Sequence, residues 1–492
     1  MRKETWAIVG LMIAMTAITA WAAKAKVGPT RETVLDRKVH IEDKIQDAPK
    51  IAPLCDSISG LTKGKIDVGG CKLYCEQESK GTPLVLVSGG PGSTHHLFHP
   101  YFSMAAKYAK VIYYDQRGVG QSDQDATGKT YSVRQAVEDL DALRKALKIE
   151  KWFVLGHSYG GFLAQCYALE HPDRVLGLIL VTSSPGTPSI ALDNTRQYDY
   201  MSKEELARIN AIAFDSKLTE ETQVYNRHLN GDWKRQDFYR PTNDELARMA
   251  LYEWKPGPGF RGRIHSQMER IDLKGRFVNF DIPTLIAEAK WDLTWNTDKP
   301  AKMLKSHPGA KLVMFERSGH SLFADEPDGF FAALGDFVKT AKAVPTPKAD
   351  RLGMGVPWPA PVIDNISSLP LSGAGAQALA VFAEAQKENL TDIFSWLKLG
   401  LVLYDGRYYP QSLEAFGRMG TLAKNAAVDG FVALTWKGHL LDLMGRREEA
   451  IAAYKEALKI DIGTAFESYD QYDLVIDRKW AEERLKTPFE RK

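Results

Sequence analysis

Gly156-His157-Ser158-Tyr159-Gly160 is a G-x-S-x-G match. A serine between glycines at this spacing can sit on a sharp turn from a strand into a helix, with its hydroxyl held clear of the sheet. The free amides at the helix N-terminus then favour negative charge developing nearby. Taken alone the match also fits a phosphate-binding or purely structural turn. Its surroundings favour the nucleophile. The apolar run Trp152–Leu155 precedes it and the helix-like stretch Gly161–Glu170 follows it.

A serine hydroxyl is a weak nucleophile at neutral pH and needs a base. His320, in Arg317-Ser318-Gly319-His320-Ser321, comes just after the strand-like run Leu312–Phe315. The loop after a late parallel strand opens on the same sheet edge as Ser158. A base in turn needs an acid to fix its tautomer. Asp292 follows the preceding run, Ile282–Glu288, with Glu288 and Asp298 close by as alternatives. The order Ser, Asp, His along the chain is that of the α/β-hydrolase arrangement. Ser88-Gly89-Gly90-Pro91-Gly92 follows the run Leu84–Val87. Glycines there let the backbone approach a substrate carbonyl, so the amides of Gly90 and Tyr159 are the expected oxyanion donors; a simple Gly/Pro turn is the plainer reading. Asp115-Gln116-Arg117-Gly118 reads as a loop brace. His95, His96 and His99 cluster after the glycine loop, but no carboxylate accompanies them at ligand spacing, and neither a metal nor a cofactor is expected.

These residues need a scaffold. Lys65–Val68 and Lys72–Glu76 flank Gly69-Gly70 and predict a hairpin. The continuous apolar runs Leu84–Val87, Val111–Tyr114, Trp152–Leu155, Leu178–Val181, Thr284–Ala287 and Lys311–Phe315 are what strands buried on both faces require. Helical spacing over Ser132–Leu147 and Tyr159–His171 alternates with them, predicting a mostly parallel sheet covered on both faces. The alternation stops over about 185–280, where charged and aromatic helical stretches such as Lys203–Phe214 and Asn243–Glu253 predict a cap.

The chain divides by composition into 1–23, 24–58, 59–341, 342–371 and 372–492. The first is a basic start, Arg2 and Lys3, followed by an uncharged run from Thr5 to Ala23. Two readings fit it: a cleaved export signal, with Ala20-Trp21-Ala22 as the cleavage signature, or a retained single membrane anchor. Either places the bulk of the protein outside the cytoplasm, periplasmic or extracellular. Residues 24–58 read as a linker or loosely packed arm, 59–341 as the catalytic domain, and 342–371, with its repeated prolines, as a linker. In 372–492, Gly400 and Gly438, and likewise Phe416 and Tyr454, lie about 38 residues apart, close to the roughly 34 of a tetratricopeptide repeat, and a protein partner for such repeats is an expectation. A net charge of +2 with both signs interspersed excludes an electrostatic nucleic-acid partner. Of the four cysteines, Cys71 and Cys75 are too far apart along a strand to bond to each other, Cys55 can reach either, and Cys166 falls on a buried helix.

Together these pieces resemble the prolyl aminopeptidase (proline iminopeptidase) family of α/β-hydrolases. The resemblance covers roughly Gly64 to Lys339 and is carried by Gly89-Gly90-Pro91-Gly92, Tyr114-Asp115-Gln116-Arg117-Gly118-Val119-Gly120-Gln121-Ser122, Gly156–Gly161, Asp292 and His320. It implies a metal-free serine mechanism, a helical cap, and release of an N-terminal residue, often proline, from short peptides. It also implies that cap acids bind the substrate amine, for which Glu204, Glu205, Glu220, Glu221, Glu245 and Glu253 are candidates. Two positions depart from the family: Ser88 stands where His is usual, and Tyr159 where many members have Trp. An esterase, lactonase or small-amide hydrolase with the same site is a second reading. A vestigial scaffold that binds protein through its helical tail is a third.

Overall fold

The computed structural model describes residues 45–491, apart from 127, 129, 187–216, 230–241, 269, 293–298, 342–355, 359–360, 424–426, 461–467, 470–473 and 476–477. The N-terminal signal or anchor therefore lies outside the described residues, as does the predicted helix Lys203–Phe214. Among the described residues, no helix is long and apolar enough to cross a membrane. The chain forms two compact units, one comprising residues up to Ile264 and Ile271–Pro357, the other His265–Arg270 and Trp358–Lys492.

The first unit is built on an eight-stranded sheet of order β1-β2-β4-β3-β5-β6-β7-β8. The strands are β1 Thr62–Asp67, β2 Lys72–Glu78, β3 Pro83–Val87, β4 Lys110–Tyr114, β5 Trp152–His157, β6 Val175–Val181, β7 Thr284–Ala289 and β8 Lys311–Phe315. The hairpin β1–β2 and its junction to β4 are antiparallel; every pairing from β4 to β8 is parallel. β5 is buried along its whole length, which accounts for its lack of polar alternation. Helix α1, Val133–Ala146, starts on the Ser132 side chain, which accepts from Gln135 N. Helix α2, Tyr159–Glu170, follows β5 directly and is buried from Tyr159 to Leu169.

After β6 the chain enters the cap. Its described parts include α3, Glu220–Leu229, and α4, Asn243–Arg248, which opens on a reciprocal capping box between Thr242 and Glu245 and runs on through a π-turn, Met249–Glu253. Helix α5, Lys299–Ser306, joins β7 to β8, and α6, Pro327–Thr340, lays Phe330, Phe331, Leu334 and Phe337 into the core. The arm differs from the sequence expectation. Its described part is not loose: Gln46 exchanges hydrogen bonds with the Asn226 side chain of α3 (2.8 and 2.7 Å), and Ala48 and Ile51 pack on the cap's apolar cluster. The cysteines are all free and buried, so the cross-link allowed for Cys55 is not formed.

The second unit is helical: α7 Pro361–Ser368, α8 Gly375–Lys387, α9 Ile393–Asp405, α10 Tyr409–Leu422, α11 Ala427–Leu443 and α12 Arg447–Lys459. Helix α7 corrects the assignment of 342–371 as linker throughout. Val362, Ile363, Ile366 and Leu369 are buried in this unit's core, and the prolines that suggested an extended strap end at Pro361, the first helical residue. The echo between Gly400 and Gly438 has a steric basis. A Cβ on Gly400 would lie 2.6 Å from the Phe416 ring, and one on Gly438 would lie 2.3 Å from the Tyr454 ring. Each glycine lets an aromatic ring of the next helix press against its backbone. Gly438→Ala is therefore expected to destabilise this unit by about 1–3 kcal/mol, measured by denaturant unfolding. Gly417→Ala, at a helical glycine with open space around it, should be neutral or stabilising by up to about 1 kcal/mol.

Candidate active site

Ser158 sits between β5 and α2 with φ 56° and ψ −124°, a conformation that side-chain-bearing residues rarely adopt. The turn exists because three neighbours lack a Cβ. One on Gly156 would lie 2.2 Å from Gly160 O, one on Gly160 2.1 Å from Val87 O, and one on Gly161 2.0 Å from Ser183 Oγ. Ser158 N donates to Val181 O (3.0 Å), and Ser158 O accepts from Gly161 N (3.0 Å) and Ser183 Oγ (3.1 Å), so the turn is tied to β6 on one side and α2 on the other.

His320 and Asp292 meet. His320 Nδ1 lies 3.0 Å from Asp292 Oδ2, and both side chains are buried. Of the two other candidate acids, one is described. Glu288 pairs with Lys299 Nζ at 2.6 Å, and Asp298 lies outside the described residues. Lys299 Nζ also lies 3.4 Å from Asp292 Oδ2 and so supplies a buried counter-charge to both carboxylates. Burial pushes the Glu288 carboxyl up to about 7, with Lys299 pulling the other way.

Two residues that sequence reasoning passed over link this pair to the serine turn. The His157 ring, next to Ser158, is hydrogen-bonded through Nε2 to the His320 carbonyl (3.0 Å), and Thr182 Oγ1 donates to the same oxygen (2.7 Å). Burial pushes His157 down to about 3, so it stays neutral and Nε2 must carry the proton to donate. His157 is the variable second position of the nucleophile motif, and Thr182 is the residue just past β6; neither carries a sequence signal of its own.

The glycine loop closes over the serine. A Cβ on Gly89 would lie 2.9 Å from Ser158 Cβ. Gly89 O accepts from Ser93 N (3.2 Å), and Ser88 Oγ donates to Ser93 O (2.6 Å), a tight turn that holds Gly90 at φ 107°. Tyr159 opens α2, so its amide has no intrahelical partner. The cap completes the loop's support. Ser93 bridges to Trp254 and Val119 to Pro256, and Thr94 N donates to Glu253 O (2.7 Å). Asp115 and Arg117 act as the expected braces. Asp115 accepts from His95 N and Gln121 N (2.8 Å each), and Arg117 forms a two-pronged pair with Asp139 (2.7 Å each).

A cleft beside this assembly is lined by residues that include Tyr101, Glu245, Arg248, Glu253, Ser321 and Phe323. Ser321 follows His320, and the Phe323 ring packs edge-on against His157 at 5.4 Å. Of the cap acids, Glu245 accepts from Tyr101 Oη (2.9 Å) and Glu221 pairs with Lys255 (2.9 Å). Removal from water, reinforced by Glu245, pushes the Glu253 carboxyl up to about 8. Glu204 and Glu205 lie outside the described residues, and nothing is described of the Glu220 side chain.

Residues 82–327 match the profile of the alpha/beta hydrolase fold family. The proline iminopeptidase of Lactobacillus acidophilus is 30% identical over 293 residues, which cover 56% of this chain and 97% of that protein. That of Saccharolobus solfataricus is 28% identical over 276 residues, covering 54% of this chain and 87% of the relative. Among solved structures, an alpha/beta fold family hydrolase from Bacillus anthracis is 24% identical, with 56% of this chain and 99% of the other covered at a TM-score of 0.46. With its catalytic unit matched along half the chain, this protein belongs to the α/β-hydrolase fold family.

Proposed function

We propose that the protein is a serine aminopeptidase that releases N-terminal residues, proline in particular, from short peptides. The observation that carries the reading is the buried His320–Asp292 pair at 3.0 Å, tied through the His320 carbonyl to the residue preceding a positive-φ serine. In this mechanism Ser158 Oγ attacks the scissile carbonyl, and His320 takes its proton and passes it to the leaving amine. Asp292 holds the imidazole in the required tautomer and stabilises the imidazolium. The amides of Gly90 and Tyr159 donate hydrogen bonds to the carbonyl oxygen as negative charge forms on it. Water then releases the acyl group by the reverse sequence.

The aminopeptidase assignment draws on the proline iminopeptidase relatives and on the two carboxyl groups in the cleft. Glu245 and Glu253 suit a substrate ammonium, and Arg248, the cation that lines the same pocket, is drawn toward Asp244 at 3.9 Å. Ser88 and Tyr159 depart from the family pattern that the sequence resembles, and an ester or lactone substrate of similar size is the second reading. The basic start and apolar run before residue 24 are read as an export signal or anchor, and the helix pairs of the second unit as tetratricopeptide-like.

Purified protein is expected to turn over a proline arylamide, and Ser158→Ala to lower that rate by more than about 10⁴-fold; turnover of a short aryl ester alone would replace the peptidase reading with the second one. Glu253→Gln should raise KM for the arylamide roughly tenfold, about 1.4 kcal/mol, with little change for an ester that has no amine. Stability carries a pH signature as well. A carboxyl raised to about 8 favours the fold in its protonated form, a contribution complete below the ordinary carboxyl range and lost as pH rises through 8. The melting temperature of the parent should therefore fall more steeply than that of Glu253→Gln between pH 7 and pH 9, as read by scanning calorimetry.

A further inference from the structure

We propose that Cys55, His95 and His96 form a structural binding site for a zinc-type divalent cation, separate from the reaction chemistry, with Glu76 as the carboxylate beside His95. The four residues come from three places. Cys55 is in the one-turn helix Leu54–Ser57 before β1, Glu76 is on β2, and His95 and His96 open the turn His95–Phe98 that follows the glycine loop. Sequence spacing pointed away from a metal because the histidines have no carboxylate or thiol near them in the chain; the sheet brings both.

Two donor pairs have the spacing that neighbouring zinc ligands require. Bonds of about 2.0–2.3 Å from nitrogen, oxygen and sulfur to zinc put neighbouring donors roughly 3.3–3.8 Å apart. Cys55 Sγ lies 3.6 Å from His96 Nδ1, and His95 Nε2 lies 3.6 Å from Glu76 Oε1. One donor atom from each of Cys55, His95 and His96 falls within 4.8 Å of the others, and the two imidazole rings lie 4.1 Å apart.

The surroundings are those of a ligand set. His95 is fully buried, and its Nε2 has no hydrogen-bond partner. Leaving such a nitrogen unsatisfied costs about 1–3 kcal/mol. Its other nitrogen, Nδ1, lies 2.8 Å from Asp115 Oδ1, so a proton there leaves the Nε2 lone pair facing the cluster; carboxylates commonly orient metal-binding imidazoles this way. Glu76 is fixed by Tyr74 Oη (2.7 Å) and by His99 Nε2 (2.9 Å). Lys63 Nζ, 3.5 Å from Glu76 Oε1, is a competing cation; it is one-third exposed and already 3.2 Å from Asp56, toward which it can turn. A thiolate and a carboxylate together neutralise a divalent cation, and a sulfur–imidazole set selects zinc over calcium or magnesium. Binding releases the Cys55 thiol proton and any proton on His95 Nε2, and it clamps the arm before β1 to the loop that carries Gly90.

The test uses the metal-stripped full chain. Zn²⁺ is titrated against a chromophoric chelator, and Co²⁺ is added as an optical probe. One equivalent of each should bind, and the Co²⁺ form should show a thiolate-to-cobalt charge-transfer band. Cys55→Ser should abolish the band and weaken Zn²⁺ binding by about 10–100-fold. His96→Gln should weaken it comparably, and Cys166→Ser should leave both unchanged. Melting curves of the metal-free variants separate lost ligands from lost fold, and His96→Gln carries the affinity test if Cys55→Ser does not fold. Absence of saturable binding, or parent-like affinity and spectrum in Cys55→Ser or His96→Gln, overturns the site.

Discussion

The catalytic unit depends on a steric constraint: the backbone at Ser158 can take its positive φ only where nothing projects from the positions around it. Gly156, Gly160 and Gly161 each sit so close to carbonyl or hydroxyl oxygens that a methyl group would overlap them. A strained residue persists only when its surroundings over-determine it. Here they do so through β5, β6 and α2 at once, since the Ser158 amide and carbonyl are both bonded to neighbouring segments. The same crowding brings Gly89 against the serine Cβ, so the turn that presents the hydroxyl also positions the loop above it.

Around this turn the polar groups form linked pairs. Lys299 lies between Glu288 and Asp292, Asp292 reaches His320, and the His320 carbonyl is held by His157 and Thr182. A buried cation between two carboxylates reduces the desolvation cost of each. The imidazole is thus constrained from both ends, by a carboxylate at Nδ1 and by two donors at its own backbone oxygen. Neutral His157 can fill this role because burial removes its tendency to take up a second proton.

Much of this was legible in the chain, for physical reasons. Strands buried on both faces leave unbroken apolar runs, and all six runs read from the sequence lie in parallel strands of the sheet, although β8, at its edge, is buried only at Phe315. Ser158, Asp292 and His320 follow β5, β7 and β8, and chain order alone separated Asp292 from Glu288 only weakly; the contact of Asp292 with His320 makes the distinction. What the sequence hid are contacts between segments distant along it. Asn226 gives no sign that it will hold Gln46, and nothing near Cys55 signals that it will lie beside His96. Helix α7 was obscured by the prolines before it, which suit an extended chain and the first turn of a helix equally well.

The antiparallel bridges from Ser93 to Trp254 and from Val119 to Pro256 have a consequence for how specificity can diversify in this molecule. A Cβ on Gly92 would lie 2.8 Å from Pro256, and one on Gly90 would lie 3.1 Å from Trp254. The cap and the glycine loop are therefore one mechanical part. A graft that exchanged the cap for that of a relative would also have to import residues able to seat these two glycines. Drift in substrate preference is freest in the cap segments away from 252–257, where change does not disturb the loop.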